Sequence, residues 1–364
     1  MFLLSSLRVG GSEAKTIRLA NALAAEHHRV TIAYLSAPES LLSRVHTGIA
    51  LVNLHRRGKF SLQALRRLVR AIKERDVNTL IAVNPYAALY AVLARSLCRG
   101  EYLRVAVSVN TTEFATRKEK LQMLLYRHVL PRADLIIFGA ERQRQLWCTR
   151  YGLGHGSDNT TVLYNGVDTR DFSRANVVPA TLQEPRDRLI LGTVGALRAE
   201  KAQTDLVRAV CELARRGIDV GAIIVGEGPQ RAEIEHEIRR LSVEQRVRLV
   251  GEVRDVRPYL AVMDVFVLPS IAVETFSNAA LEAMAMTCPV VAARVGGMEE
   301  MLRFGGGVTY PPGDVQSLCD LLMPLLRNAH ARSEMGLQAR RIAEQHFSLE
   351  RMFNDFGKRF LDTH

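Results

Sequence analysis

Signatures of metal and disulfide scaffolding are missing from this chain. Its five cysteines, Cys98, Cys148, Cys211, Cys288 and Cys319, are scattered, odd in number and form no C-x-x-C pair. A disulfide framework and a cysteine zinc site are therefore excluded as organising features, and a reducing compartment is expected. HExxH is absent, as are DxD, GxSxG and the phosphate-loop pattern GxxxxGK. Zinc proteolysis, DxD-metal chemistry and serine-nucleophile hydrolysis thus have no support. No apolar run is long and clean enough to span a bilayer; the longest, 279–295, is broken by Glu282 and Pro289. The opening MFLLSS is too short for a signal peptide and reads as a first strand. Acidic residues are scarce in the first half. Residues 1–180 hold 26 Lys+Arg against 13 Asp+Glu, a net of +13, whereas the remainder holds 23 against 25, a net of −2. The positive charge belongs to the N-terminal half alone. It is either a solvated basic surface or a face toward something anionic, such as a membrane or a phosphorylated lipid. Nucleic acid is not expected, because no RNP-like or helix-turn-helix signature accompanies the charge.

What is present is the raw material of two α/β domains. With 364 residues, 48% of them hydrophobic, the chain can build two cores. Apolar strand-like runs alternate with helical spacing throughout, which predicts parallel, doubly wound sheets. The first half includes strands near 1–6, 29–35, 49–54, 79–83, 103–109, 134–138 and 160–164. Two of its helices, 61–75 and 117–130, are strongly basic. In the former, Leu62, Leu65, Val69 and Ile72 are expected inward, and Arg66, Arg67, Arg70 and Lys73 outward. Ligands of such sheets bind beyond the carboxyl ends of strands, so Gly10-Gly11, Asn84-Pro85 and the segment from Asn110 to Glu113 should share one edge. The expected division is an N-terminal domain over 1–175, a linker over 176–187 and a C-terminal domain over 188–347.

The densest chemistry lies in 269–300, PSIAVETFSNAALEAMAMTCPVVAARVGGMEE. It reads as a strand end, a loop, a helix starting at Ser277-Asn278, a second strand and a Gly-Gly turn. Glu274 falls in the loop and Glu282 in the helix, with seven residues between them. Two carboxylates could form an acid/base pair. On one loop-helix unit they serve better as grips on hydroxyls, beside a helix N-terminus that attracts an anion. Upstream, GALRAEK spans Gly195 to Lys201 and carries Arg198 and Lys201 between a strand and a helix. The two cations could grip a diphosphate, or simply be solvated. Gly226-Glu227-Gly228-Pro229 and Gly10-Gly11 are each either a tight ligand-side loop or an ordinary entry to a helix.

Taken in order, GALRAEK, VGEGP, ETFSNAALEAMA, PVVA and GGMEE, with YNGVD upstream, resemble the retaining E-x7-E glycosyltransferases of family 4 type. The resemblance covers nearly the whole chain. It implies the GT-B fold: two Rossmann-like domains facing across a cleft, with a last helix, 348–364, packing back on the first. It implies sugar transfer from a nucleotide-diphosphate-sugar, with no metal and no cofactor. By the same resemblance Arg198 and Lys201 match the diphosphate grip and Glu274 the sugar-hydroxyl contact. Phe276, Ser277 and Asn278 match the helix-start segment, and Glu282 the ribose contact. Gly195, Gly226, Glu252 and Val253 lie on segments bordering the donor, and Gly10 and Gly11 match the N-terminal glycine loop. Many members carry His where Asn110 stands, and often Gly where Ser277 stands. Asn can hydrogen-bond a hydroxyl but does not titrate. The expected acceptor is a glycan or a polyprenyl-phosphate-linked precursor of polysaccharide or lipopolysaccharide. The expected place is cytoplasmic, on the inner face of the plasma membrane, with the two basic helices toward it. A phosphorylase or epimerase on this fold, or a catalytically silent sugar-nucleotide-binding protein, is the alternative.

Overall fold

The inner strands of each sheet are short, mostly apolar runs buried on both faces, as parallel strands covered by helices must be, while the edge strands over 50–53, 160–162, 247–251 and 307–310 are more open. The computed structural model describes residues 1–360 except 9, 99–101, 111–116, 154–158, 182–187 and 273, and only the backbone of 117–120. The chain divides into two compact units, Met1–Tyr164 and Asn165–His364.

The first unit contains β1 (Phe2–Leu4), α1 (Gly11–Ala25), β2 (Thr31–Tyr34), β3 (Ala50–Asn53), α2 (Leu62–Glu74), β4 (Thr79–Val83) and α3 (Asn84–Leu97). It continues with β5 (Arg104–Val109), α4 (Arg117–Val129), β6 (Leu135–Phe138), α5 (Glu141–Tyr151) and β7 (Thr160–Val162). Its sheet is ordered β3-β2-β1-β4-β5-β6-β7, with every pairing parallel. Gly10, Asn84 and Asn110 therefore follow the carboxyl ends of three adjacent strands, as expected. Asn84-Pro85 opens α3 directly rather than forming a loop, and 111–113 lie outside the described residues.

Local chemistry sets the helix boundaries. The Ser61 hydroxyl caps α2 by accepting the Ala64 N–H at 3.2 Å. Proline opens α3. Gly152 closes α5 in the left-handed conformation, at φ 65°. The core stripe of α2 is Ala64, Leu65, Leu68, Ala71 and Ile72. This corrects the expectation for Leu62, which lies on the first turn outside that stripe and is exposed. Arg67 is likewise not a free outward cation, because it donates to the Leu54 carbonyl at 3.1 Å.

Lys15, on α1, is a buried cation that the apolar spacing of that helix does not reveal. Its ammonium donates to the Leu163 carbonyl at 3.0 Å, and burial, with Arg18 nearby, pulls its pKa down to about 7. The unfolded chain binds the proton up to the ordinary lysine range, so between about pH 7 and that range it binds more protons than the fold. Stability contributed by this site thus rises with pH across that window, and below it the cost of burying the charge is fully felt. Lys15→Met is expected to raise Tm more at pH 6 than at pH 10; an equal shift at both would remove the charge from the explanation.

The second unit contains β8 (Leu189–Val194), α6 (Gln203–Arg215), β9 (Val220–Val225), α7 (Arg231–Arg240), β10 (Val247–Gly251), α8 (Arg257–Val262) and β11 (Val265–Leu268). Then come α9 (Asn278–Ala285), β12 (Val290–Ala293), α10 (Met298–Leu302), β13 (Gly307–Tyr310), α11 (Val315–Arg327), α12 (Ala329–His346) and α13 (Leu349–Phe360). The sheet runs β10-β9-β8-β11-β12-β13, again with every pairing parallel. Both units share the doubly wound order in which the chain reverses direction, between β1 and β4 in one and β8 and β11 in the other. The crevice at that reversal is where such sheets hold ligands. Among the described residues no helix is long and apolar enough to cross a membrane.

Candidate active site

The reversal between β8 and β11 puts two loops side by side. Beyond β8 the chain turns through Gly195 and a single 3₁₀ turn, Ala199–Lys201. Beyond β11 it runs through Ser270 and Glu274 to the start of α9. The Ile271 N–H donates to the Glu200 carbonyl at 2.9 Å, tying the loops together. Across them the Lys201 ammonium forms an ion pair with Glu274 Oε1. The Ser270 hydroxyl donates to the same oxygen at 3.1 Å. Glu274 is 7% exposed, so it is a buried carboxylate with a cation and a hydroxyl attending it, as burial of charge requires.

Arg198 stands on the same turn but is not drawn into that pair. Its side chain is 62% exposed, and the acidic group beside it is Glu200, at 3.9 Å. The cation of GALRAEK nearest solvent is therefore Arg198, and the one built into the protein is Lys201. Ser277 caps α9: its hydroxyl accepts the Ala280 N–H at 3.3 Å, and Asn278 opens the helix. Glu282 is half-buried further along α9. The Phe276 ring is buried edge-on against Phe347, with centroids 5.2 Å apart. The Phe276 carbonyl accepts the Asn165 side-chain amide at 2.8 Å. Phe276 thus anchors the loop, and its ring is committed to packing.

The glycines of the first three strand ends converge. Gly195 N–H donates to the Val225 carbonyl at 2.9 Å, and Gly226 N–H to the Gly251 carbonyl at 2.8 Å. A Cβ on Gly226 would lie 2.0 Å from the Gly195 carbonyl oxygen. Glycine there is a demand of close backbone approach. Glu252, exposed, and Val253, half-buried, follow directly.

In the first unit Gly10 precedes α1 as its N-cap. The Glu13 carboxylate folds back over it, accepting the Ser12 hydroxyl at 2.8 Å. A Cβ on Gly10 would come within 2.4 Å of Glu13 Oε2. Glu13 puts a negative charge in the first turn of the helix, where the dipole favours it, and Arg8 Nε lies 3.7 Å from its Oε1. The Asn110 N–H donates to Asn84 Oδ1 at 3.2 Å, and Asn84 holds a left-handed backbone at φ 74°.

Sequence reasoning missed several residues on which these loops depend. Gly296, beyond β12, sits at φ 55°, and a Cβ there would lie 1.7 Å from the Glu274 carbonyl oxygen. Its neighbour Gly297 donates to the Thr275 carbonyl at 2.8 Å. The Gly-Gly pair was visible, but the contact that makes it necessary is between distant segments. Gln143, fully buried, bridges the Val109 carbonyl and the Gly139 N–H; nothing in its surroundings in the sequence marks it.

Two family models match the chain. One described as Glycosyltransferase Family 4 matches residues 9–171, and one described as Glycosyl transferases group 1 matches residues 188–328. The N-acetyl-alpha-D-glucosaminyl L-malate synthase of Bacillus anthracis is 25% identical over 287 residues, covering 76% of this chain and 72% of that protein. A GDP-mannose-dependent alpha-(1-6)-phosphatidylinositol monomannoside mannosyltransferase of Mycolicibacterium smegmatis is 28% identical over 298 residues, covering 78% and 75%. In fold, the chain resembles Anabaena HepE, solved in complex with UDP, with a TM-score of 0.83 at 20% identity over 99% of this chain and 98% of that one. Two parallel-sheet Rossmann-like units, both family models and the relatives converge: the chain belongs to the group 1, family 4 glycosyltransferases, with the GT-B fold.

Proposed function

We propose that this glycosyltransferase moves a sugar from a nucleotide-diphosphate-sugar to an acceptor with retention at the anomeric carbon and without a metal. The observation that carries the reading is the Lys201–Glu274 pair at the β8/β11 reversal, next to the N-terminus of α9. In this reading Glu274 binds hydroxyls of the transferred sugar, and Glu282 binds the ribose. Arg198, Lys201 and the start of α9 at Ser277 and Asn278 take the negative charge that grows on the diphosphate as the bond from the anomeric carbon breaks. The acceptor hydroxyl attacks that carbon from the face the phosphate leaves, and a phosphate oxygen takes its proton. Asn110 and the Gly10-Gly11 start of α1 belong to the acceptor side, with Asn110 orienting a hydroxyl rather than titrating. Gly195, Gly226, Glu252 and Val253 border the nucleoside.

The acceptor in this reading is a lipid-linked or polysaccharide-precursor glycan met at the inner face of a membrane. The charge of the N-terminal half supports this, as does the lipid acceptor named for the mycobacterial relative. The donor class is supported by the GDP-mannose dependence of that relative and the UDP bound to HepE. A panel of nucleotide-sugars tested for protection against thermal unfolding identifies the donor. The protecting donor should then slowly release its nucleoside diphosphate. A donor that protects but is never turned over, with any acceptor glycan, would make the chain a sugar-nucleotide-binding protein instead.

A further inference from the structure

The loop between β3 and α2, His55-Arg56-Arg57-Gly58-Lys59-Phe60, holds three Lys/Arg and no carboxylate, and no Asp or Glu occurs between Glu39 and Glu74. It lies beyond the carboxyl end of β3, the edge of a parallel sheet at which loops meet ligands.

Its first arginine is held in place rather than left to solvent. The Leu54 N–H donates to the Tyr34 carbonyl at 2.9 Å and the Arg56 N–H to the Leu35 carbonyl at 2.7 Å, which carries the β2–β3 pairing past the strand ends. The Arg56 guanidinium donates to the Tyr86 hydroxyl at 3.2 Å, to the Ser36 hydroxyl at 3.4 Å and to the Gly58 carbonyl. It also lies over the Tyr86 ring, 5.3 Å from the centroid. The Tyr86 hydroxyl donates to the Lys59 carbonyl, and the Tyr90 hydroxyl accepts the Ser61 N–H at 2.9 Å, so α3 fixes the far end of the loop. Every partner of the guanidinium is neutral. They orient the charge without cancelling it, and they leave donors unspent, Nε among them. Glu39, on the loop after β2, is engaged elsewhere: its Oε1 accepts the Tyr34 hydroxyl at 2.8 Å and the Asn53 side-chain amide at 2.9 Å. Arg57 and Lys59 are exposed. Among the described residues no ion pair involves Arg56, Arg57 or Lys59. An arginine oriented by hydroxyls and a ring, with two more cations beside it, suits a group with several anionic oxygens. A phosphate has three such oxygens and more than one charge, whereas a sugar hydroxyl has no use for three cations.

We propose that this loop holds a phosphate group of the acceptor, with Arg56 as the oriented fork and Arg57 and Lys59 as the charges around it. This rests on the reading above that the N-terminal unit receives the acceptor. It adds the anionic group that the acceptor carries and the side chains that take it.

The test is calorimetric titration of the full chain with geranyl monophosphate, glucose 6-phosphate and glucuronate, each at up to about 10 mM. At least one phosphate is expected to bind, and the singly charged glucuronate about tenfold more weakly or not at all. Binding of geranyl monophosphate alone places the phosphate on a lipid; binding of glucose 6-phosphate alone places it on a sugar. Arg56→Gln should weaken the bound phosphate about tenfold to a hundredfold, and Arg56→Lys should recover only part of the loss, because a point charge replaces a fork. Arg57→Gln with Lys59→Gln should weaken it about tenfold. Those two side chains are exposed, so this variant reads the site even where Arg56→Gln loosens the loop. Lys201→Ala, in the second unit, should leave the phosphate affinity unchanged. Affinity that falls with Lys201→Ala and not with the loop variants assigns the probe to the donor diphosphate site and overturns the proposal. Binding of neither phosphate, equal affinity in the parent and both loop variants, or tightest binding of glucuronate also overturns it. A chain that binds phosphate through this loop yet never turns over a donor keeps the site and ends the reading of sugar transfer.

Discussion

Lys201→Ala is expected to lower kcat/KM for donor turnover by about a hundredfold to a thousandfold, the usual cost of removing one group that stabilises developing charge. It should also weaken the fold. Glu274 is buried, and its Oε1 takes the Lys201 ammonium and the Ser270 hydroxyl. Removing the cation leaves a carboxylate short of partners, a loss of about 1–3 kcal/mol for a pair whose lysine retains some exposure. Activity and stability can be separated. Lys201→Met combined with Glu274→Gln removes both charges and keeps the shapes, so most of the stability should return while turnover stays absent. Denaturant unfolding and nucleoside diphosphate release measure the two. Normal turnover in the double variant would end the assignment of this pair to the reaction.

Gly296→Ala is the second large effect. The new methyl group would lie 1.7 Å from the Glu274 carbonyl oxygen, 2.6 Å from its carbon and 3.3 Å from the Thr275 nitrogen, at a backbone φ of 55°. All three are main-chain atoms, so no side chain can swing away. The turn must retreat, and the Gly297 to Thr275 hydrogen bond goes with it. A loss of about 2–4 kcal/mol is expected, with donor turnover falling at least about tenfold because Glu274 moves. Gly313→Ala is the matched comparison. It has a similar positive φ, 78°, but nothing within 4 Å of its would-be Cβ, and it should lose only about 1 kcal/mol to backbone strain. Equal losses at the two positions would show that crowding against Glu274 plays no part.

Much of this was legible because it is local. The strand runs, such as Leu189–Val194 and Val220–Val225, are continuous apolar segments between turn residues. Ser277 caps its helix as its residue type predicts, and that alone puts Glu274 in a loop and Glu282 on a helix. The illegible parts depend on partners distant in sequence. Nothing near Gly296 names Glu274, and nothing near Asn84 names Asn110. Leu62 fits a helical apolar stripe drawn one turn too early, because Leu68 and Ala71 carry the core side instead. Helix α5 has Gln143 and Trp147 as its buried residues among mostly polar neighbours, too weak a pattern to signal a helix. Strand β13 follows a glycine pair and is four residues long, so turn chemistry masked it.

The convergence of Gly195, Gly226 and Gly251 separates two properties that are often coupled. Main-chain hydrogen bonds carry the strand ends past the sheet: Gly195 to Val225, Leu197 to Glu227, Gly226 to Gly251 and Gln230 to Leu197. The frame is therefore written in backbone atoms and in the absence of side chains. Positions mounted on it that face solvent, Glu252 among them, can change identity without moving the frame. In the function proposed above, a side chain mounted on this frame can be exchanged to alter which ligand fits, while the Lys201 turn keeps its place because backbone atoms hold it.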